Sequence, residues 1–219
     1  MKLSTKFWGQ TAIYGFGYLL VRAVSFLLLP LYTNLLTPSE TGFIFLFLTL
    51  LAFLNTFYNM GMDSALLKFY DKEKFNVVFS SSILYSLILG VVWSLILFVF
   101  CENFEDSFSN YSINVPNNIT ACLIGILMFD AISSRTKVFL RLMELPFYYL
   151  AVSFCNVFSS AFLSIYFIGI LNMGLRGAIN ALLITSFIQF LTLLPISVIS
   201  ILPLFPYKII SKLSSDFIS

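Results

Sequence analysis

Five stretches without a charged residue constrain the fold of this chain more than any other feature. They are residues 41–62, 75–101, 107–129, 145–175 and 177–207, and residues 7–39 carry the single charge of Arg22. A helix needs about 20 apolar residues to cross the roughly 30 Å hydrocarbon layer of a bilayer. These stretches are continuously apolar and do not alternate, which predicts helices and not barrel strands. We therefore expect an all-α integral membrane bundle of six transmembrane helices. The expected spans lie near residues 9–33, 42–63, 78–101, 117–135, 147–170 and 178–203.

The composition excludes several functional classes. Of the 219 residues, 59% are hydrophobic and only 10% are charged, whereas soluble domains carry about 25% charged residues. A soluble globule, a disordered chain and a nucleic-acid-binding protein are therefore all excluded. The chain has no histidine, and its three cysteines form no CxxC pattern, so we expect no metal or other cofactor. It also lacks paired carboxylates in a soluble domain and a glycine-rich phosphate loop, so we expect no enzymatic activity.

Basic residues predict the orientation in the membrane. If six helices alternate, ten of the 12 Lys and Arg residues fall on one side, and basic residues favour the cytoplasm. Three of the ten, Arg135, Lys137 and Arg141, belong in this interpretation to the connection between spans four and five. Both termini are therefore expected in the cytoplasm. The first span is too long for a cleaved signal peptide and contains Arg22.

Span one carries the sharpest polar feature. Tyr18, Arg22 and Ser25, together with Tyr14, follow helical spacing and share one face. An arginine at that depth is costly unless it faces protein or water, so its default interpretation is functional. The alternative is a structural ion pair with a carboxylate on a neighbouring helix.

Polar side chains also follow helical spacing on other spans, and they indicate either the lining of a cavity or hydrogen bonds between helices. They are Asn55, Asn59 and Asp63 on span two, Tyr149, Ser153, Asn156, Ser160 and Ser164 on span five, and Asn180, Thr185, Gln189 and Thr192 on span six. Asp130 on span four is either a cation or proton site or a partner of Lys137. The small residues Ser82, Ser86, Gly90 and Ser94 of span three predict close helix packing. Thr37, Pro38 and Glu40 predict a helix start with a capping box.

The first seventy residues resemble a known family. The segments that carry the likeness are Tyr14 to Ala23, Phe26 with Pro30 to Tyr32, Leu36 to Gly42, and Gly61 to Tyr70. They resemble the N-terminal region of the polysaccharide (O-antigen type) flippases, which belong to the multidrug/oligosaccharidyl-lipid/polysaccharide exporter superfamily. The resemblance implies one lobe of a two-lobed protein in which two six-helix lobes face a central cavity. It places residues 1–206 in the lobe and makes residues 207–219 a cytoplasmic tail or a truncated interlobe linker.

The resemblance also implies a function. That function is the translocation of polyprenyl-diphosphate-linked oligosaccharide across the bacterial inner membrane by alternating access, with a homodimer or a separate C-terminal lobe completing the cavity. Arg22 matches the family's first-helix arginine, whose planar guanidinium suits a diphosphate. With the polar faces, the candidate substrate-binding residues are Arg22, Tyr18, Ser25, Asn59, Asp63, Lys68 and Asn156. The alternatives are a membrane scaffold of a polysaccharide assembly machine, without transport, and a multidrug-type antiporter lobe that uses Asp130 or Asp63.

Overall fold

The described part of the chain is helical. The computed structural model describes residues 15, 16, 19, 22, 23, 26, 28–68, 75–109, 118–143 and 145–201, and none of these residues lies in a β-strand. After residue 37 the helices are α1 (Pro38–Asn59), α2 (Met62–Lys68), α3 (Phe75–Ser109), α4 (Ile119–Leu142), α5 (Pro146–Ser164) and α6 (Gly174–Ile201). A π-helical segment, Ile165–Ile170, follows α5 directly. Residues 28–35 are also helical.

Five helices within the described residues are long and apolar enough to cross a membrane. They cover Pro38–Asn59, Val78–Val99, Ile119–Leu142, Pro146–Ile170 and Gly174–Val198. The protein is therefore a multi-pass α-helical membrane protein, and the predicted all-α membrane bundle is confirmed. The first expected span, residues 9–33, falls largely outside the described residues, which show five spans where the sequence predicts six.

The start of α1 has the capping box that the sequence predicts. The Thr37 amide donates to Glu40 Oε2 at 3.0 Å, and the Glu40 amide donates to Thr37 Oγ1 at 3.4 Å. The second carboxylate oxygen of Glu40 accepts the Leu175 amide of α6 at 3.5 Å. Gly174 permits this approach, because its φ is +58° and a Cβ there would lie 2.9 Å from Glu40 Oε1. One carboxylate thus caps α1 and fixes the start of α6 beside it.

Helix α1 ends before the expected boundary at residue 63. Met60 has φ 39° and Gly61 has φ 70°, so two consecutive residues adopt left-handed conformations. A glycine in this conformation is a common helix terminator. The chain restarts as α2 at Met62, which places Asp63 in the first turn of a second, short helix. Asp63 therefore does not continue the polar face of Asn55 and Asn59.

Helix α4 continues seven residues beyond the expected end of span four at residue 135. Arg135, Lys137 and Arg141 lie within the helix, so α4 runs through the residues that the sequence places between spans four and five. The apolar residues between these charges explain the extension. Val138, Phe139 and Leu140 are all buried, and the Phe139 ring packs against Phe79 of α3 with centroids 4.5 Å apart. Burial of this apolar face keeps the last two turns helical.

The helices pack around an apolar core formed mainly by α1, α4 and α6. Its buried side chains include Phe43, Ile44, Phe47, Leu123, Ile126, Leu127, Leu175 and Ile179. The predicted small-residue ridge of α3 packs on this core. Ser82 and Ser86 are buried, and a Cβ at Gly90 would lie 2.6 Å from Met128 Sδ of α4. Ser94 shares a hydrogen bond of 2.9 Å with the Tyr58 hydroxyl of α1. The ridge is a packing surface, as predicted.

Candidate functional site: a polar cavity between four helices

A polar cavity of about 330 Å³ lies between α1, α4, α5 and α6. It is lined by Asn55, Asn59, Asp130, Ser134, Lys137, Asn156, Ser160, Leu182, Thr185, Ser186 and Gln189. Leu182 is the single apolar side chain in this lining. Asp130 is the twelfth of the 24 residues of α4, so the cavity reaches the middle of a membrane-spanning helix.

Helical spacing explains why these side chains face one another. Asp130, Ser134 and Lys137 are four and three residues apart and therefore share one face of α4. The pairs Asn55 with Asn59 and Asn156 with Ser160 are each four residues apart on their helices. The polar faces predicted for spans two, four, five and six thus converge within a single bundle. These faces therefore meet within one bundle, and the second lobe expected from the sequence stays a prediction.

Hydrogen bonds order part of the cavity wall. The Asn59 side-chain amide donates to Asn55 Oδ1 at 3.1 Å. The Asn156 amide of α5 donates to Gln189 Oε1 of α6 and so links the two helices. The Asn59 Oδ1 atom is buried and accepts no hydrogen bond within the part of the chain that the structure describes. The wall therefore offers both donors and acceptors to a polar occupant.

Two opposite charges face the cavity without forming an ion pair. The Asp130 carboxylate lies near the Ser186 hydroxyl of α6. Its Coulomb interaction with Lys137 is attractive. The two groups do not form a direct ion pair, however, because among the described residues only Arg135 and Asp63 have a charged nitrogen and a carboxylate oxygen within 4 Å of each other. The Lys137 ammonium nitrogen therefore lies more than 4 Å from the Asp130 carboxylate. The two groups attract each other without a direct contact, and the predicted partnership of Asp130 with Lys137 stays a prediction. Both charged groups remain directed at the cavity.

A buried ion pair lies beside the cavity and joins three helices. Arg135 of α4 is bonded through Nη1 to the Asp63 carboxylate of α2, and its Nη2 donates to the Asn59 carbonyl at the end of α1 at 3.1 Å. The Ser134 hydroxyl donates to the other Asp63 oxygen at 3.0 Å. These bonds hold the left-handed break between α1 and α2 against α4. Asp63 is thus engaged by Arg135 and not by Arg22.

The structure divides the candidate substrate-binding residues into four groups. Asn59 and Asn156 line the cavity. Asp63 lies beside it in the buried ion pair. Lys68 is exposed at the end of α2, and Arg22 is an exposed residue in helical conformation. Neither residue belongs to the cavity lining. Tyr18 and Ser25 lie outside the described residues.

Sequence reasoning missed two contributors to the site. Arg135 was assigned to a connection because charges near the end of an apolar span indicate its boundary. Ser186 was overlooked because it neighbours Thr185 and does not extend the spacing of the span-six polar face. One signal for the ion pair was present, since Asp63 and Arg135 end predicted spans two and four, whose ends are expected on the same side of the membrane.

The geometry defines a class of protein: a multi-pass α-helical membrane protein with a charged polar cavity among its helices. Among the described residues, no three His, Cys, Asp or Glu side chains converge into a group that could hold a metal ion. No family model, curated protein or solved structure matches the chain. The function proposed below is therefore supported by the cavity and by the resemblance of the first seventy residues.

Proposed function

We propose that this chain is one lobe of a transporter that moves lipid-linked oligosaccharide across the bacterial inner membrane. The polar cavity is the observation that carries the proposal. Polar groups inside a bilayer are costly and mark solute pathways, and ten of the eleven cavity-lining residues are polar or charged. In a bundle that served only as a scaffold, polar side chains would bond directly across helices and would not need to surround an open cavity.

The chemistry of the cavity suits a carbohydrate. Its amides, Asn55, Asn156 and Gln189, offer donors and acceptors at fixed positions, and its hydroxyl groups offer both. Sugar hydroxyls need both kinds of partner. A cationic drug fits less well, because Lys137 would repel it. This chemistry favours the flippase proposal over a multidrug-type antiporter, in which Asp130 would bind the coupling ion or the drug.

In this proposal Arg22 binds the lipid diphosphate, and its exposed position is the reason for including a second lobe. Arg22 is exposed and does not line the cavity, so in this proposal it binds the diphosphate on a face of the lobe that a second lobe covers. That second lobe is either another copy of this chain or a separate C-terminal lobe. The polyprenyl tail remains in the lipid. The lobe itself carries out no reaction.

Reconstitution tests the proposal. The full chain is placed in liposomes with a polyprenyl diphosphate that carries fluorescently labelled N-acetylglucosamine, and dithionite quenching from outside measures the accessible fraction. We expect translocation above the rate of protein-free liposomes. Gln189→Leu should lower that rate at least tenfold, because it removes a cavity amide that bonds Asn156.

Thr49→Val is the matched control. It also removes one polar group, but Thr49 is exposed on α1 and its hydroxyl bonds only the Phe45 carbonyl at 2.8 Å. Translocation by this variant should equal that of the natural protein. Quenching of the natural protein at the protein-free rate would contradict a flippase formed by copies of this chain alone. A Gln189→Leu variant as fast as Thr49→Val would contradict the role of the cavity.

A further inference from the structure

We infer that the polar cavity selects a sugar unit that carries its own carboxylate, with that carboxylate at Lys137 and the sugar hydroxyls at Asp130. The inference rests on the proposed function and specifies its substrate class. It assigns recognition of the sugar to the cavity and leaves the lipid diphosphate to Arg22.

The two charges of the cavity are spaced to bind different parts of one ligand. Asp130 and Lys137 are seven residues apart on α4, which corresponds to a rise of about 10 Å at 1.5 Å per residue. Both side chains line the cavity, and the space between them is not closed by a direct ion pair. A ligand that bridges them must present an anion at one end and hydrogen-bond donors at the other.

The Lys137 end favours the anion. Asp130 lies near the Ser186 hydroxyl, whereas the Lys137 ammonium has no hydrogen-bond partner among the residues that the structure describes. An ammonium has three donors, and burying them without partners in a membrane span is costly. Arg141 lies one turn further along α4, close enough to repel the Lys137 charge, so it adds to the positive potential at this end.

The balance of charge favours a single carboxylate over a phosphate ester. Lys137 and Asp130 contribute one positive and one negative charge to the lining. A phosphate monoester carries about −1.5 to −2 charges at pH 7, so Asp130 would repel it more strongly than a monocarboxylate. The cavity volume of about 330 Å³ lies at the lower end of the range for small-molecule sites, roughly 300–1,000 Å³. That volume suits one sugar unit and not an extended chain.

Ligand binding to the full chain in lipid nanodiscs tests the inference. Thermal stabilisation is measured over a concentration series of glucuronic acid, glucose and glucose 1-phosphate at constant ionic strength. We expect glucuronic acid to bind at least tenfold more tightly than either of the other two. Equal or tighter binding of glucose or glucose 1-phosphate, or no binding of glucuronic acid, would overturn the inference.

Three variants place the binding in the cavity. Lys137→Gln should weaken glucuronic acid binding to the level of glucose, and Lys137→Arg should retain it within a few fold. Arg176→Gln removes a cation from an exposed position of α6 and should leave binding unchanged. Unchanged binding of glucuronic acid by Lys137→Gln would overturn the inference. Loss of glucuronic acid binding in Lys137→Arg would also overturn it, provided that this variant without ligand unfolds at the same temperature as the natural protein.

Failure of the inference and failure of the flippase proposal are distinguishable. Selective binding of glucuronic acid, together with protein-free rates of translocation for both the N-acetylglucosamine lipid and a matching glucuronic acid lipid, would preserve the sugar site and contradict transport. Translocation of the labelled N-acetylglucosamine lipid without selective binding would preserve transport and contradict the sugar site.

Discussion

The buried ion pair of Asp63 and Arg135 should respond asymmetrically to removal of either partner. The Arg135 side chain has 0% exposed surface, whereas that of Asp63 has 37%. Asp63→Ala therefore leaves a guanidinium charge in a site closed to water. Arg135→Met leaves a carboxylate that water already reaches and that Ser134 still bonds.

The magnitudes follow from these exposures. Loss of one partner of a buried pair costs about 3–5 kcal/mol, and we expect about 3 kcal/mol for Asp63→Ala because water can enter beside the vacated carboxylate. Arg135→Met should cost about 2 kcal/mol, in part through the lost hydrogen bond to the Asn59 carbonyl, worth about 1 kcal/mol. The double variant should lose about 2–3 kcal/mol and not the sum of about 5, since neither charge is left alone.

Reversible unfolding in mixed micelles, monitored by circular dichroism, measures these free energies. Arg176→Met is the matched control, because it removes a cation from an exposed position and should change the free energy of unfolding by less than about 0.5 kcal/mol. Equal losses in the two single variants, or a double variant whose loss equals their sum, would refute the reasoning.

Three further predictions concern the helix cap, the proposed diphosphate ligand and the orientation. Glu40→Ala should lower the free energy of unfolding by about 1 kcal/mol, because α1 loses its capping box; a loss below 0.3 kcal/mol in the same unfolding assay would contradict it. Arg22→Ala should abolish translocation in the liposome assay while the variant inserts normally, and Arg22→Lys should recover only part of the rate, since a point charge replaces a planar fork; full activity of Arg22→Ala would exclude the diphosphate role. An impermeant thiol reagent applied to intact cells should label Ser109→Cys and not Ser64→Cys, because the basic residues place the second of these positions in the cytoplasm; the reverse pattern would invert the topology.

The cavity changes the reasoning about assembly. The sequence alone does not show whether the polar faces of separate helices point toward one another or toward a partner protein. In the structure Asn59 of α1 and Asn156 of α5 line the same cavity, so this chain itself supplies facing polar surfaces. The proposal of a second lobe now depends on the family resemblance and on exposed Arg22.

Local physical chemistry allowed the sequence by itself to determine the class of fold and the polar faces. Membrane spans follow from apolar stretches of sufficient length, and five of them are present in the described residues. The capping box of Thr37 and Glu40 needs only residues three positions apart. The shared faces of Asn55 with Asn59 and of Asn156 with Ser160 follow from 3.6 residues per turn. Each of these features depends on neighbours within one or two turns of helix.

Only the tertiary structure decided which polar groups meet. Asp63 and Arg135 are 72 residues apart, and Asn156 and its hydrogen-bond partner Gln189 lie on different helices. Helical spacing gives each side chain a direction on its own helix but no direction relative to the bundle. The packing of α1, α4 and α6 around their apolar core fixes those rotations, and it buries the three residues from Val138 to Leu140 that keep α4 helical past Arg135. The cavity and the ion pair are therefore properties of packed helices, and no single span specifies them.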